Sequence, residues 1–289
     1  MTVDILTALF LILLGIVTGI IASVAGIGGG VLFVPIFNLL LGIDIKKSIG
    51  TSLFTIFFLS LSSGTSYLRK RVVDVKTGLI FELASIPGAL VGAYLTTILP
   101  AVYLKVIFSL VLIYSGIKMF RKKDRSQSPD WSIIYGEPHF TNHFTRFNVK
   151  RRIITKDGIT YEYTYNLLFG VLLSFFAGVA SGMLGIGGGT IKVPAMNLVL
   201  GIPIHVAVAT SSFMIIFTTL SGISAHIFLG NVLFEIAVFT IIGAIIGAQI
   251  GPRIATKIKK EALRKIVGVI LIIAALTVSY THLTLPTKA

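Results

Sequence analysis

The pattern with the clearest chemical use is Gly-Ile-Gly-Gly-Gly, which stands at 26–30 and again at 185–189, followed in each case by a proline, Pro35 or Pro194. Glycine inside a helix costs about 1 kcal/mol against alanine, so Gly28, Gly29 and Gly30, like Gly187, Gly188 and Gly189, are expected to interrupt their helices. A helix that restarts after Gly30 or Gly189 presents unpaired N–H groups and the positive end of its dipole. Such a terminus suits an anion, and glycine lets the backbone approach it. Thr190 and Lys192 fall in the first turn after the second run. A cation there opposes the dipole and is costly in lipid, and a bound anion would offset both; the alternative is that Lys192 snorkels to an interface. Its counterpart in the first run is Phe33, so the site is expected to be asymmetric.

Thr51, Ser52, Thr210 and Ser211 open the next apolar piece after each run. Their hydroxyls can donate to an anion or cap a helix. Asn38 and Asn197 are read as structural, bonding across helices. Glu82 and Glu235 lie a few residues inside their helices; each is a candidate to carry a coupling proton, or an interfacial anchor. His226 is read as a satisfied polar contact. His139 and His143 are spaced i, i+4 without a third ligand, so no metal site is expected, and no cofactor. A membrane-embedded enzyme would need a nucleophile with its base or a metal cluster, and the apolar segments offer neither.

The elements that must hold these residues are membrane helices. Of 289 residues, 55% are hydrophobic and only 12% charged, against about 25% charged in a soluble domain. No charge occurs between Asp4 and Asp44, a stretch longer than the roughly 20 residues of one transmembrane helix. This excludes a soluble enzyme, a disordered tail and a free nucleic-acid binder. The net charge of +14 fits cytoplasmic loops enriched in Lys and Arg. The absence of cysteine excludes disulfides and thiolate chemistry. The N-terminus reads as a first span and not as a removed signal peptide.

Residues 24–43 (VAGIGGGVLFVPIFNLLLGI) and 183–202 (MLGIGGGTIKVPAMNLVLGI) repeat at an offset of 159. The match continues from Thr51-Ser52 to Thr210-Ser211 and then drifts by a few residues, pairing PGALVGA (87–93) with IGAIIGA (242–248). Gly88, Gly92, Gly243 and Gly247 read as small-xxx-small packing positions. Each half breaks into five apolar pieces, the second of them short: 31–43 and 190–201. Residues 1–120 form a first transmembrane repeat, 121–165 a polar cytoplasmic insert and 166–280 a second repeat. The tail 281–289 breaks the pattern and is set aside as non-native. Basic clusters at 69–76 and 253–265 belong on the cytoplasmic side. Five crossings per half, which invert the second half, satisfy this best; four per half, with a re-entrant second piece, is the alternative. In the insert, Asp157-Gly158 between alternating β-formers predicts a hairpin that acts as a lid, a docking patch or a solvated linker. The fold class is therefore all-α, polytopic, a 5+5 inverted repeat with a small insert.

At these residues the chain resembles the sulfite exporter TauE/SafE family of membrane permeases. GIGGG followed by Val-Pro at 34–35 and 193–194, GTS at 50–52, ATSS at 209–212 and GALVGA carry the likeness, which spans nearly everything outside 121–165 and the tail. The resemblance implies export of sulfite or organosulfur anions such as sulfoacetate by secondary transport in the cell membrane. Its partners would be a small anion, the bilayer and a coupling proton or the membrane potential; a homo-oligomer is compatible with the pattern. The insert departs from the compact family pattern, which keeps open a rival reading as a non-transporting receptor or scaffold acting through 121–165.

Overall fold

Asp4 accepts a hydrogen bond from the Thr7 amide (3.1 Å) and starts helix α1 (Ile5–Ala25) in the computed structural model, which describes residues 4–98, 109–110, 113–114, 116–117, 133–135 and 145–283. The chain is mostly helical. After a break comes the short α2 (Gly30–Pro35), which widens into one π-turn over Ile36–Leu40. Pro35 has no N–H to donate, so the ladder loses a bond there and the next turn opens. Asp44 caps α3 (Ile45–Arg69), and α4 is Val75–Ile98. The second half follows the same order: α5 (Leu167–Leu184), α6 (Gly189–Pro194) with a π-turn over Ala195–Val199, α7 (Ile204–Phe228), α8 (Phe234–Ala255) and α9 (Lys260–Leu283). Helix α9 runs three residues into the stretch set aside as a non-native tail. The apolar piece 101–120 lies mostly outside the described residues, as do His139 and His143.

Six of these helices, α1, α3, α4, α5, α7 and α8, are long and apolar enough to cross a membrane. Their outward faces are apolar too: Leu6, Leu13, Leu83, Leu90, Phe176 and Val238 are all exposed. In water such a surface would drive aggregation; in hydrocarbon it is the solvated surface. The protein is a polytopic, multi-pass membrane protein.

The two halves exchange helices. Helix α1 packs along α8, and α4 along α5. Glycines let the backbones touch: a Cβ on Gly243 would lie 1.9 Å from the Ile12 carbonyl oxygen, and one on Gly182 2.0 Å from that of Ala89. Both pairs run in the same direction, Gly243 beside Ile12 and Gly251 beside Ile20, Gly88 beside Phe175 and Gly92 beside Val179. Helices α3 and α7 pack antiparallel, with Gly64 beside Phe213 and Gly222 beside Leu53. Helix α3 also runs parallel to α8, Thr51 meeting Leu233 and Ser62 meeting Ile245. Since α1 and α3 both run with α8, the segment 26–44 carries the chain back between them. The six described membrane-length helices thus form two three-helix units, α1–α8–α3 and α5–α4–α7, joined along the α3–α7 seam.

Packing corrects the repeat register read from PGALVGA and IGAIIGA. Gly88 meets the Phe175 oxygen and the Val179 nitrogen; the matching contacts on α1, to Ile16 and Ile20, are made by Gly247. Gly92 likewise matches Gly251, not Gly247. The offset stays at 159 throughout. Small residues recurring every four positions look alike one helical turn apart, which is why the strings align with a four-residue slip.

The insert holds a three-stranded sheet, β1 (Ile133–Tyr135), β2 (Asn148–Ile154) and β3 (Thr160–Asn166), in the order β1-β3-β2. Strands β2 and β3 form the expected hairpin, with Gly158 at φ +82° in its turn. Alternation along β3 buries Tyr161, Tyr163 and Tyr165 on one face, against the bundle. The hairpin is docked there and is no solvated linker. It sits on the face that carries both basic stretches: the Lys70 carbonyl accepts from the Lys156 amide, and the Lys70 ammonium donates to Thr256 (2.7 Å).

Candidate functional site

Gly26 and Gly185 end α1 and α5 in the left-handed conformation (φ +68° and +70°), and Gly28, Gly29, Gly187 and Gly188 also have positive φ, between +73° and +89°. L-residues avoid that region. The two loops then cross. A Cβ on Gly30 would lie 2.3 Å from the Gly185 oxygen, and one on Gly189 would lie 2.5 Å from the Gly26 oxygen. Ile56 and Ile215, each near the middle of its helix, flank both Gly28 and Gly187. The breaks therefore meet at the centre of the bundle, running antiparallel past one another across the α3–α7 seam. The Gly29 carbonyl accepts from the Leu32 and Phe33 amides, and the Gly188 carbonyl from those of Ile191 and Lys192. The amides of Gly30, Val31, Gly189 and Thr190 come before any intrahelical acceptor, and all four residues are buried.

The hydroxyls read as anion donors or helix caps bond across the two halves. Ser52 donates to the Gly185 oxygen (3.1 Å) and Ser211 to the Gly26 oxygen (2.7 Å). Thr51 accepts from the Leu233 amide at the start of α8, and Thr210 from the Asp74 amide at the start of α4, both at 3.0 Å. Each of these bonds joins one half to the other, and each pair is related by the offset of 159. Asn38 and Asn197 each donate to a carbonyl five residues on, that of Ile43 or Ile202 (2.8 and 2.9 Å). His226 makes its polar contact with the Gly182 carbonyl (3.3 Å).

Lys192 is only 2% exposed, so it does not snorkel. Its ammonium pairs with Glu82 and donates to Thr218 (2.5 Å). The Thr218 hydroxyl spans both Glu82 oxygens (2.9 and 2.7 Å). Glu82, also 2% exposed, is no interfacial anchor but the counter-ion of Lys192. Glu235 lies exposed in the first turn of α8, apart from this cluster. Around the same break, Ser181 and Thr190 bury hydroxyls with no hydrogen-bond partner among the described residues. Ser181 Cβ and Lys192 Cε lie 3.3 and 3.5 Å from the place where a Gly188 Cβ would stand. At the offset of 159 the partners of Lys192, Thr218 and Glu82 are Phe33, Leu59 and Ile241. The first break is thus apolar where the second is ionic, as the Lys192–Phe33 mismatch foretold.

Lys192 lines a cavity of about 10 Å³, room for about one water, with Phe81, Ser174, Met196, Leu200 and Met214. Phe81 also meets Tyr165 of the hairpin edge-on (5.7 Å). The hairpin is fastened at Asp74, whose carboxylate accepts from Arg151 (2.9 and 2.5 Å), Tyr163 (2.7 Å) and Thr77 (2.5 and 3.2 Å). Burial pushes the Asp74 carboxyl up, but these bonds, that of Arg151 first, outweigh it and hold the group below its usual range. Burial raises Tyr163, as do the charge and hydrogen bond of Asp74, and it pushes Tyr161 up to about 12. Among the described residues no group of three His, Cys, Asp or Glu could hold a metal ion.

A family model described as "Sulfite exporter TauE/SafE" matches residues 11–278. The "Probable membrane transporter protein YunE" of Bacillus subtilis (strain 168) is 30% identical over 277 residues, covering 93% of this chain and 96% of that protein. The "Sulfite exporter TauE/SafE family protein 6" of Arabidopsis thaliana is 24% identical over 273 residues, 71% of this chain and 64% of the plant protein. The "Probable membrane transporter protein YdhB" of Bacillus subtilis is 28% identical over 242 residues, 82% of this chain and 84% of its relative. No solved structure matches the chain.

Proposed function

The chain belongs to the sulfite exporter TauE/SafE family, and from that premise we propose that it exports small sulfur-containing anions, sulfite or sulfonates, across the cell membrane by secondary transport. It is a transporter and not an enzyme. The anion sits at the crossing of the two glycine breaks, within reach of Lys192, Ser181, Thr190 and the free amides of Gly189 and Thr190. The observation that carries this reading is a helix break that buries the Lys192 ammonium and also two hydroxyls, of Ser181 and Thr190, without partners among the described residues. Donors without acceptors in an apolar interior are costly, and an oxyanion would satisfy them.

The antiparallel run of α3 against α7, and the common face of the two basic stretches, support an inverted repeat of five segments per half. The backbone contacts within α1–α8 and α4–α5 make each three-helix unit stiff, which leaves the α3–α7 seam as the surface for alternating access. Gly28, Gly29, Gly30, Gly187 and Gly188 shape the crossing. Thr51, Ser52, Thr210 and Ser211 position it.

The test is uptake of labelled sulfite by proteoliposomes holding the purified chain, with unlabelled sulfonates as competitors. Saturable flux in the wild type, and its loss in Lys192→Met that still purifies as a folded species, is expected. Flux unchanged in Lys192→Met would place the site elsewhere.

A further inference from the structure

Lys192 has more hydrogen-bonding capacity than its surroundings use. An ammonium carries three donors; among the described residues two are taken, by Glu82 and Thr218. Across Gly188 from the lysine stem stands Ser181, whose buried hydroxyl has no partner among the described residues. Glu82 in turn has both oxygens occupied by Lys192 and Thr218. The pair is neutral as it stands. A monoanion added to it would leave one uncompensated negative charge in an apolar interior, which is strongly unfavourable. A proton on Glu82 removes that charge, and turns a group that only accepts into one that can also donate.

We infer that the transported anion and ionised Glu82 are alternative partners of Lys192, so that each anion binds together with one proton on Glu82. On binding, the Glu82 carboxylate takes a proton from water and becomes the acid, its ion pair with Lys192 breaks, and Lys192 pairs with the anion. Release reverses these steps, and no covalent bond to the cargo forms or breaks. The stoichiometry rests on the anion reading above.

No other described acidic group faces Lys192. Helix α5 has no ionisable residue, and α6 has Lys192 alone. Helix α7 offers His205 at one end, on the Ile258 carbonyl, and His226 at the other, on that of Gly182. Asp74, at the start of α4, is committed to Arg151, Thr77 and Tyr163. Strand β3 brings Tyr163, bonded to Asp74, Tyr165, bonded to Thr77, and Glu162, paired with Arg152.

Equilibrium binding of radiolabelled sulfite to the purified full chain, measured from pH 5 to pH 9 for the wild type and Glu82→Gln, tests this. The ratio of the two Kd values cancels the titration of sulfite itself. It should rise about tenfold per pH unit, in the direction of weaker wild-type binding, once Glu82 gives up its proton. A flat ratio overturns the inference. Should Glu82→Gln fail to fold, calorimetry of the wild type in two buffers of different ionisation enthalpy gives the protons taken up per anion. One beyond those of sulfite supports the exchange and none refutes it. No saturable binding by the wild type at any pH would instead sink the anion reading on which the stoichiometry rests.

Discussion

Removing Lys192 alone should harm the protein more than removing Lys192 and Glu82 together. In Lys192→Met the Glu82 carboxylate, 2% exposed, keeps only Thr218 as a partner. Stripping one member from a buried pair costs about 3–5 kcal/mol, whereas replacing both members with uncharged side chains of similar size is close to neutral. Methionine fits the space left by the lysine stem, so little of the cost comes from a cavity. The double variant Lys192→Met/Glu82→Gln should therefore recover about 2–4 kcal/mol of the single variant's loss. At roughly 2–4 °C per kcal/mol for a chain of this size class, the single variant should melt on the order of 10 °C below the wild type, and the double variant within a few degrees of it. The assay is thermal unfolding of all four species of the double-mutant cycle in one detergent, followed by loss of the monodisperse peak. Additive losses, or a Lys192→Met protein as stable as the wild type, would refute a buried, mutually dependent pair.

Other outcomes follow from single contacts. Gly182→Val, whose Cβ would stand 2.0 Å from the Ala89 oxygen, should force α4 and α5 apart at a cost on the order of 3 kcal/mol; Gly158→Ala, with open space around it, should cost about 1–2 kcal/mol from its positive φ alone. Yields of folded protein in detergent distinguish the two. Thr51→Val and Thr210→Val each leave one amide unpaired, that of Leu233 or Asp74, so matched losses of about 1–2 kcal/mol are expected by thermal unfolding; a large disparity would contradict equivalent roles. Asp74 has a depressed pKa in the folded protein, so its contribution is complete above the unfolded value near 3.9 and is lost as the pH falls through the lower folded value. Hydrogen exchange in β2 and β3 should therefore stay slow from neutral pH down to about 4 and quicken below it, whereas Asp74→Asn should be fast throughout. Loss of protection already near pH 6 would exclude Asp74 as the fastening.

Much of this was legible in the sequence. The repeated GIGGG runs placed both helix breaks, and Asp157-Gly158 placed the hairpin, because each is a local backbone requirement that glycine meets. The mismatch of Lys192 with Phe33 foretold an asymmetric centre. What was not legible was long-range. Glu82 lies 110 residues from Lys192 and in the other half, so nothing in its own neighbourhood marks it as a counter-ion. Its depth does not follow from its place near a helix end, because the neighbouring helices cover that end. The hydroxyls of Thr51, Ser52, Thr210 and Ser211 could be read as anion donors or as caps. In the structure they bond to amides and carbonyls of the opposite half, which no local motif encodes. Nothing in the sequence around Asp74 marks it, because Arg151 and Tyr163 reach it only once β2 and β3 fold back.

The central claim, an anion held where the two breaks cross, is tested most directly by a structure of the protein with selenite, the heavier analogue of sulfite. The chain has no cysteine for selenite to oxidise. Anomalous density at the crossing of residues 28–30 and 187–190, within hydrogen-bond reach of the Lys192 ammonium, is the expected result. Density elsewhere in the bundle, with the Lys192–Glu82 pair intact, would contradict it.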